Sequence, residues 1–183
     1  MLAIIAATGW GSSFLAGAEE SGRLELTLAH AVTRTQYVIE AALALVLKLL
    51  GLGVIAFVLI LVFNTPAKLG LTVPNLLATL LPWLGLALLS AAAALAVGAV
   101  TGRRSWSVGA GAGIAVIGYI LNAVSRSNKD LQWLESISPY HWAFGNTPLT
   151  NGFDWGALAM LWGGSAVLIA IALLGLRRRD VLG

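Results

Sequence analysis

The residues best placed to do chemistry crowd into one short stretch. Residues 18–37 read AEESGRLELTLAHAVTRTQY and hold Glu19, Glu20, Arg23, Glu25 and Arg34. Leu24, Leu28 and Val32 recur at four-residue spacing, which puts them on one stripe of a helix with Glu20 and Arg23 near its start. Acidic residues in a first turn suit the positive end of a helix dipole. An amphipathic helix of this kind either rests on a lipid surface or fits into a partner protein. The acidic cluster favours the partner, because helices that lie on membranes usually carry basic residues. The chemistry on offer is recognition.

Few other side chains carry reactive groups. Lys48 is the basic residue well inside an apolar run. A lysine at the bilayer centre costs about 2.5–3.5 kcal/mol on insertion scales. Its long stem offers snorkelling toward the nearer interface, while a place on a transport path or a pairing with Glu40 are the alternatives. His30 and His141 lie in segments separated by several apolar runs and belong to no metal-ligand cluster, so both read as ordinary polar residues. The chain has no cysteine, which excludes a disulfide framework and a thiolate site. Nothing matches the phosphate-binding G-x-x-x-x-G-K-[ST] pattern, the G-x-S-x-G elbow or H-E-x-x-H.

The elements that carry these residues follow from composition. Of 183 residues, 58% are hydrophobic and only 10% are charged, against about 25% charged in soluble domains. Too few charges remain to face water, so the chain is expected to live in lipid. Five apolar stretches stand out at residues 1–17, 38–63, 74–100, 106–124 and 156–176. A span needs about 20 apolar residues, and runs that are apolar on every side predict helices, not barrel strands. The expected fold is therefore all-α: a polytopic transmembrane bundle of about five spans. The first stretch is short, lacks the basic lead of a signal peptide, and reads as part of a span.

Basic residues orient the bundle. Arg23, Arg34, Arg103, Arg104, Arg177, Arg178 and Arg179 fall on one side, and Lys68, Arg126 and Lys129 on the other. The excess places the first set, and the C-terminus, in the cytoplasm. Net charge +3 is thereby a matter of topology, and no nucleic-acid partner is expected. Pro74 suits a first helical turn, Pro82 predicts a kink in the third span, and Asp154 predicts an N-cap after the Asn151-Gly152 turn. Gly109 and Gly113, like Gly98 and Gly102, have the spacing of close helix packing. Residues 125–155 form an outer loop rich in Trp133, Tyr140, Trp142, Phe144, Phe153 and Trp155. Such rings favour the membrane–water interface, so short interfacial helices are expected there, one capped by Ser138 with Pro139 at its first position.

The run from Glu19 to Ala29, followed by Val32-Thr33-Arg34, resembles the "EE-x-G-T/R-L-E-L-L-L-A-x-P-V-S/T-R" segment of type-2 ABC transporter permeases. Ala31 stands where proline is common. Ser138-Pro139-Tyr140-His141-Trp142, Asn151-Gly152-Phe153-Asp154-Trp155 and Leu176-Arg177-Arg178-Arg179-Asp180 resemble that family's later motifs in the same order. The likeness covers nearly the whole chain and is nearest to actinobacterial exporters of polyketide-type antibiotics. It implies that residues 18–37 form the cytoplasmic coupling helix, with Glu19, Glu20, Gly22, Leu24, Glu25, Leu28 and Arg34 at or near the ATP-hydrolysing subunit. It also implies an outer gate involving Pro139, Tyr140 and Trp142. Because that family has six spans per half, this chain reads as an N-terminally incomplete permease or the later half of a longer one.

The expected function is that of a membrane subunit of an ATP-driven exporter of a hydrophobic or amphipathic molecule. Its expected partners are an ABC ATP-binding subunit, which carries ATP and magnesium, a second permease half or copy, lipid, and a lipophilic substrate. No cofactor is expected in this chain. The rival readings are a membrane scaffold for a cytoplasmic partner and an intramembrane enzyme. The enzyme would need clustered polar residues within the spans, which are missing.

Overall fold

Thr33 and Gln36 show how local chemistry sets the helix boundaries. In the computed structural model, which describes residues 1–29, 32–127 and 129–179, the Gln36 amide donates to the Thr33 hydroxyl at 3.2 Å and the Thr33 amide to the Gln36 side chain at 2.9 Å. This reciprocal capping box satisfies two orphan donors and starts a long helix at Arg34. The described helices are α1 (Leu2–Phe14), α2 (Ala16–Glu20), α3 (Arg23–Leu28), α4 (Arg34–Asn64), α5 (Val73–Thr101), α6 (Arg104–Ser127), α7 (Pro139–Phe144), α8 (Pro148–Asn151) and α9 (Trp155–Arg178), with a 3-10 segment at Lys129–Ile137 between α6 and α7. Among the described residues there is no strand.

Helices α4, α5, α6 and α9 are each long and apolar enough to cross a membrane. Helix α1 is apolar but has 13 residues, about 20 Å at helical rise, and brings the bundle to about five spans. Thr72 caps α5 with Pro74 in its first turn, and Gly102 ends it at φ +66, the left-handed conformation that glycine adopts without penalty. Asp154 caps α9 by accepting from the Ala157 amide at 3.0 Å. Pro82 lies inside α5, which continues through it as one helix.

Helix α5 is the axis of the bundle. In its most apolar stretch 83% of residues are buried, against 17% for α4, and α1, α4, α6 and α9 all pack on it. Glycines make these contacts close. An added Cβ at Gly111 of α6 would sit 2.6 Å from the Thr8 methyl and 2.7 Å from the Ser90 carbonyl oxygen, and one at Gly85 of α5 would meet the Trp162 indole at 2.9 Å. Two buried hydroxyls bond to carbonyls inside the bundle, Ser107 to Ala94 at 2.6 Å and Ser165 to Leu161 at 2.7 Å, which suits an apolar surrounding. The buried hydroxyls of Thr8 and Ser90, by contrast, have no hydrogen-bond partner among the described residues.

The Gly109 and Gly113 pair plays no part in this packing, since a Cβ at either meets nothing within 4 Å. The packing glycine of α6 lies between them. Gly111→Ala is therefore expected to destabilise the protein by about 1–3 kcal/mol through overpacking against backbone. Gly109→Ala is expected to be neutral or stabilising by up to about 1 kcal/mol from helix propensity. Thermal unfolding of the two variants in detergent checks the contrast.

Candidate functional site

Ser21 and Gly22 break the segment that the leucine spacing predicts as one helix from Glu20 to Val32. The Ser21 hydroxyl bonds back to the Gly17 and Ala18 carbonyls at 2.8 and 3.1 Å, offering the backbone a partner outside a helix. Gly22 then turns at φ +72. Helix α3 starts afresh at Arg23 and stops at Leu28, while Thr33 is extended at ψ 151 to cap α4. Val32 thus falls outside the helix, and Arg34 to Tyr37 belong to α4. His30 and Ala31 lie outside the described residues.

The seven residues singled out in this stretch separate into two sets. Five face the protein or are partnered within it. Glu19 pairs with Arg179 at the end of α9. Glu20 accepts the Arg104 backbone amide at 2.8 Å, placing a carboxylate on the positive end of α6. Arg34 donates to the Arg179 carbonyl. Leu24 is fully buried and Leu28 packs on the core. Gly22 supplies the turn. Glu20 and Glu25 are the exposed members of the seven, and Glu25 lies beside Leu26, which is 65% exposed.

The ion pair sits against the end of α5, because a Cβ on Gly102 would strike both Arg179 and Glu19. The feet of α2, α4, α5, α6 and α9 thus meet at one arginine-rich end of the bundle. The Glu19–Arg179 contact links residues 160 apart in sequence, so neighbour spacing could not reveal it.

Lys48 reaches the aromatic rings of α1, with Nζ 5.2 Å from the Trp10 centroid and 4.8 Å from that of Phe14. This is a cation–π geometry. Side chains tilt toward a helix's N-terminus, so on α4 the ammonium leans toward the arginine-rich end. Among the described residues no ion pair joins it to Glu40.

At the opposite end, α7 closes over α6. Ser138 donates to the Gly118 carbonyl at 2.8 Å and accepts from the His141 amide at 3.4 Å. Pro139 and Trp142 line a cavity of about 940 Å³ between α6 and α9. Tyr140 turns away from it: its ring stands edge-on to Tyr119 at 5.7 Å, and its hydroxyl lies 3.0 Å from Met1 Sδ. Burial, and then the Tyr119 neighbour, push the Tyr140 phenol above its ordinary pKa, so it stays a donor. The His141 Nδ1 is buried without a hydrogen-bond partner, 3.7 Å from the Glu135 carboxylate. Sequence reasoning missed the cavity, whose signal was the open Gly109–Gly113 face.

Glu19 and Arg179 are each about one-fifth exposed, between the limits for surface pairs and buried ones. Arg179→Ala should accordingly cost about 1–2 kcal/mol. The double reversal Glu19→Arg with Arg179→Glu should recover part of the loss that Glu19→Arg alone produces. Detergent thermal unfolding of the single and double variants measures the coupling.

No curated protein and no solved structure gives a significant match to this chain. The family model described as "Multidrug efflux system permease Rv1217c, C-terminal domain" matches residues 1–177, which takes in every helix from α1 to α6, the roof formed by α7, and nearly all of α9. With that span covered and a helical membrane bundle built around α5, the chain belongs to the family of multidrug efflux permease C-terminal domains.

Proposed function

We propose that this chain is a membrane-spanning permease subunit of an ATP-driven ABC exporter in the cytoplasmic membrane. The energy comes from a separate ATP-binding subunit that carries ATP and magnesium, and the permease itself performs no catalysis. Efflux membership supports the transport role. The excess of arginine at one end supports a cytoplasmic position for that end and for the C-terminus.

One observation carries the motor assignment. Helix α3 is anchored by buried Leu24 and presents Glu25 and Leu26 outward from the arginine-rich end. A short helix held on one side and exposed on the other is suited to fit a groove in a partner. Glu19 is tied to Arg179, and Glu20, though exposed, is tied to the Arg104 amide. The docking role therefore falls on Glu25 and its exposed neighbours, with Glu19, Glu20 and Arg34 passing displacement to α9, α6 and α4. A second copy or second permease half would complete the transporter. The cargo is hydrophobic or amphipathic, antibiotic-like in character.

Glu25→Lys is expected to weaken assembly with the ATP-binding subunit by about tenfold, a loss of about 1.4 kcal/mol, with the fold intact because the side chain is exposed. Co-purification and substrate-stimulated ATP hydrolysis measure it. Unchanged assembly together with unchanged stimulation would reject docking through α3.

A further inference from the structure

Three cavities form a series, two along α6 and the third between α7 and the start of α9, and each shares wall residues with the next. Near the arginine-rich end, Trp106, Ser105 and Val97 line a cavity of about 500 Å³. It shares Gly109 and Ala110 with the groove of about 940 Å³ between α6 and α9. That groove shares Trp142 and Met160 with a third cavity of about 380 Å³, lined by His141, Asn146 and Asp154. The series thus runs from the arginine-rich end through an apolar middle to a polar chamber at the opposite end.

From this continuity we infer that the α6–α9 groove is a binding track for an uncharged, lipophilic molecule of drug size. Trp142 and Met160 form the partition through which the molecule leaves. The inference rests on the exporter reading for its direction of travel and names the site and charge class of the cargo.

The walls decide the class of occupant. Every residue that lines the groove is apolar or glycine apart from Trp142. The Trp142 indole N–H is already spent on the Ser136 carbonyl at 2.8 Å, so the ring offers only its apolar surface. A charged group would lose its hydration there without a partner. The volume lies in the usual range for drug-sized ligands, roughly 300–1,000 Å³.

The roof argues against a membrane-crossing helix as the occupant. Helix α7 is fixed to α6, with Pro139 so close to Gly118 that an added Cβ would lie 3.1 Å from the proline ring. Pro139 and Trp142 therefore stand across the groove's far end, where a crossing helix would have to pass. On the α9 side the roof meets Met160, which is 54% exposed. Methionine is unbranched and readily re-packs, so this seam is the part of the wall best able to part. Beyond it the lining changes from apolar to polar, which suits release toward water.

Gly113 gives a clean test, because a Cβ there meets nothing within 4 Å and a larger side chain grows into the groove without displacing backbone. The full chain, in lipid nanodiscs without any ATPase, is titrated with the neutral dye N-phenyl-1-naphthylamine. Binding is read by energy transfer from tryptophan, and oligomeric state is measured alongside. Gly113→Leu is expected to weaken dye binding by about tenfold or more, while Val116→Leu, on the same helix outside the groove, leaves it unchanged. Oligomeric state should not change in either variant. Dye binding that is indifferent to Gly113→Leu would overturn the track. So would a loss of oligomer, which would make the groove an interface between copies, or equal weakening of the permanently cationic dye ethidium, which would refute the charge class. None of these readings needs a motor subunit, so the track and the docking proposal can fail separately.

Discussion

Close backbone approach to α5 is the constraint on which the rest of the structure depends. In lipid the hydrocarbon tails are as apolar as leucine, so helices gain little by hiding apolar side chains from the solvent. Their association must come from dense contacts and from internally satisfied polar groups. Gly111 against the Ser90 carbonyl, Gly85 under Trp162 and Gly175 against Val100 supply the contacts. Ser107 and Ser165 supply the satisfied groups. The Ala91 to Ala94 run on α5 serves the same end, since small side chains let four neighbours surround one helix.

A second consequence appears where the helices end. The feet of α6 and α9 are tied to the segment that precedes α3, one through a carboxylate on a helix N-terminus and the other through an ion pair. Both ties use consecutive residues, Glu19 and Glu20. Gly102 leaves the room the ion pair needs, because any side chain there would collide with it. A stretch whose charges read as one docking face is thus half internal fastening and half exposed surface.

The all-helical membrane bundle was legible from composition, because a chain with so few charges has no other solvent than lipid. Two caps were legible too: Ser138 and Asp154 act within three residues of themselves, and short range is what a sequence displays. The single helix drawn from the Leu24, Leu28 and Val32 spacing was not. Periodicity describes side chains, whereas the break comes from a left-handed glycine and from the Thr33–Gln36 box. The glycine spacing left open which pair packs: Gly98 and Gly102 do, whereas Gly109 and Gly113 do not. Contact depends on which face of α6 meets α5, and that is set by distant residues such as Thr8 and Ser90. The partners of Glu19 and Glu20, and of Lys48, were invisible because they lie on other helices.

The open face of α6 follows from the same constraint that closes the other. Helices α6 and α9 both pack on α5, but neither packs extensively on the other. Gly111 and Ser107 turn toward the axis, which leaves Gly109 and Gly113 along the gap. With no side chain on either glycine, the gap is wide enough to be a cavity and not a seam. Under the exporter reading this arrangement divides labour. Helix α5 has too many backbone contacts to shift easily, since interdigitated interiors resist gradual deformation. The gap between α6 and α9 has few contacts to lose. Displacement entering at α2 and α3 reaches the feet of those two helices through Glu20 and Glu19, so the motion is delivered to the walls of the groove while the axis that holds the bundle together stays in place.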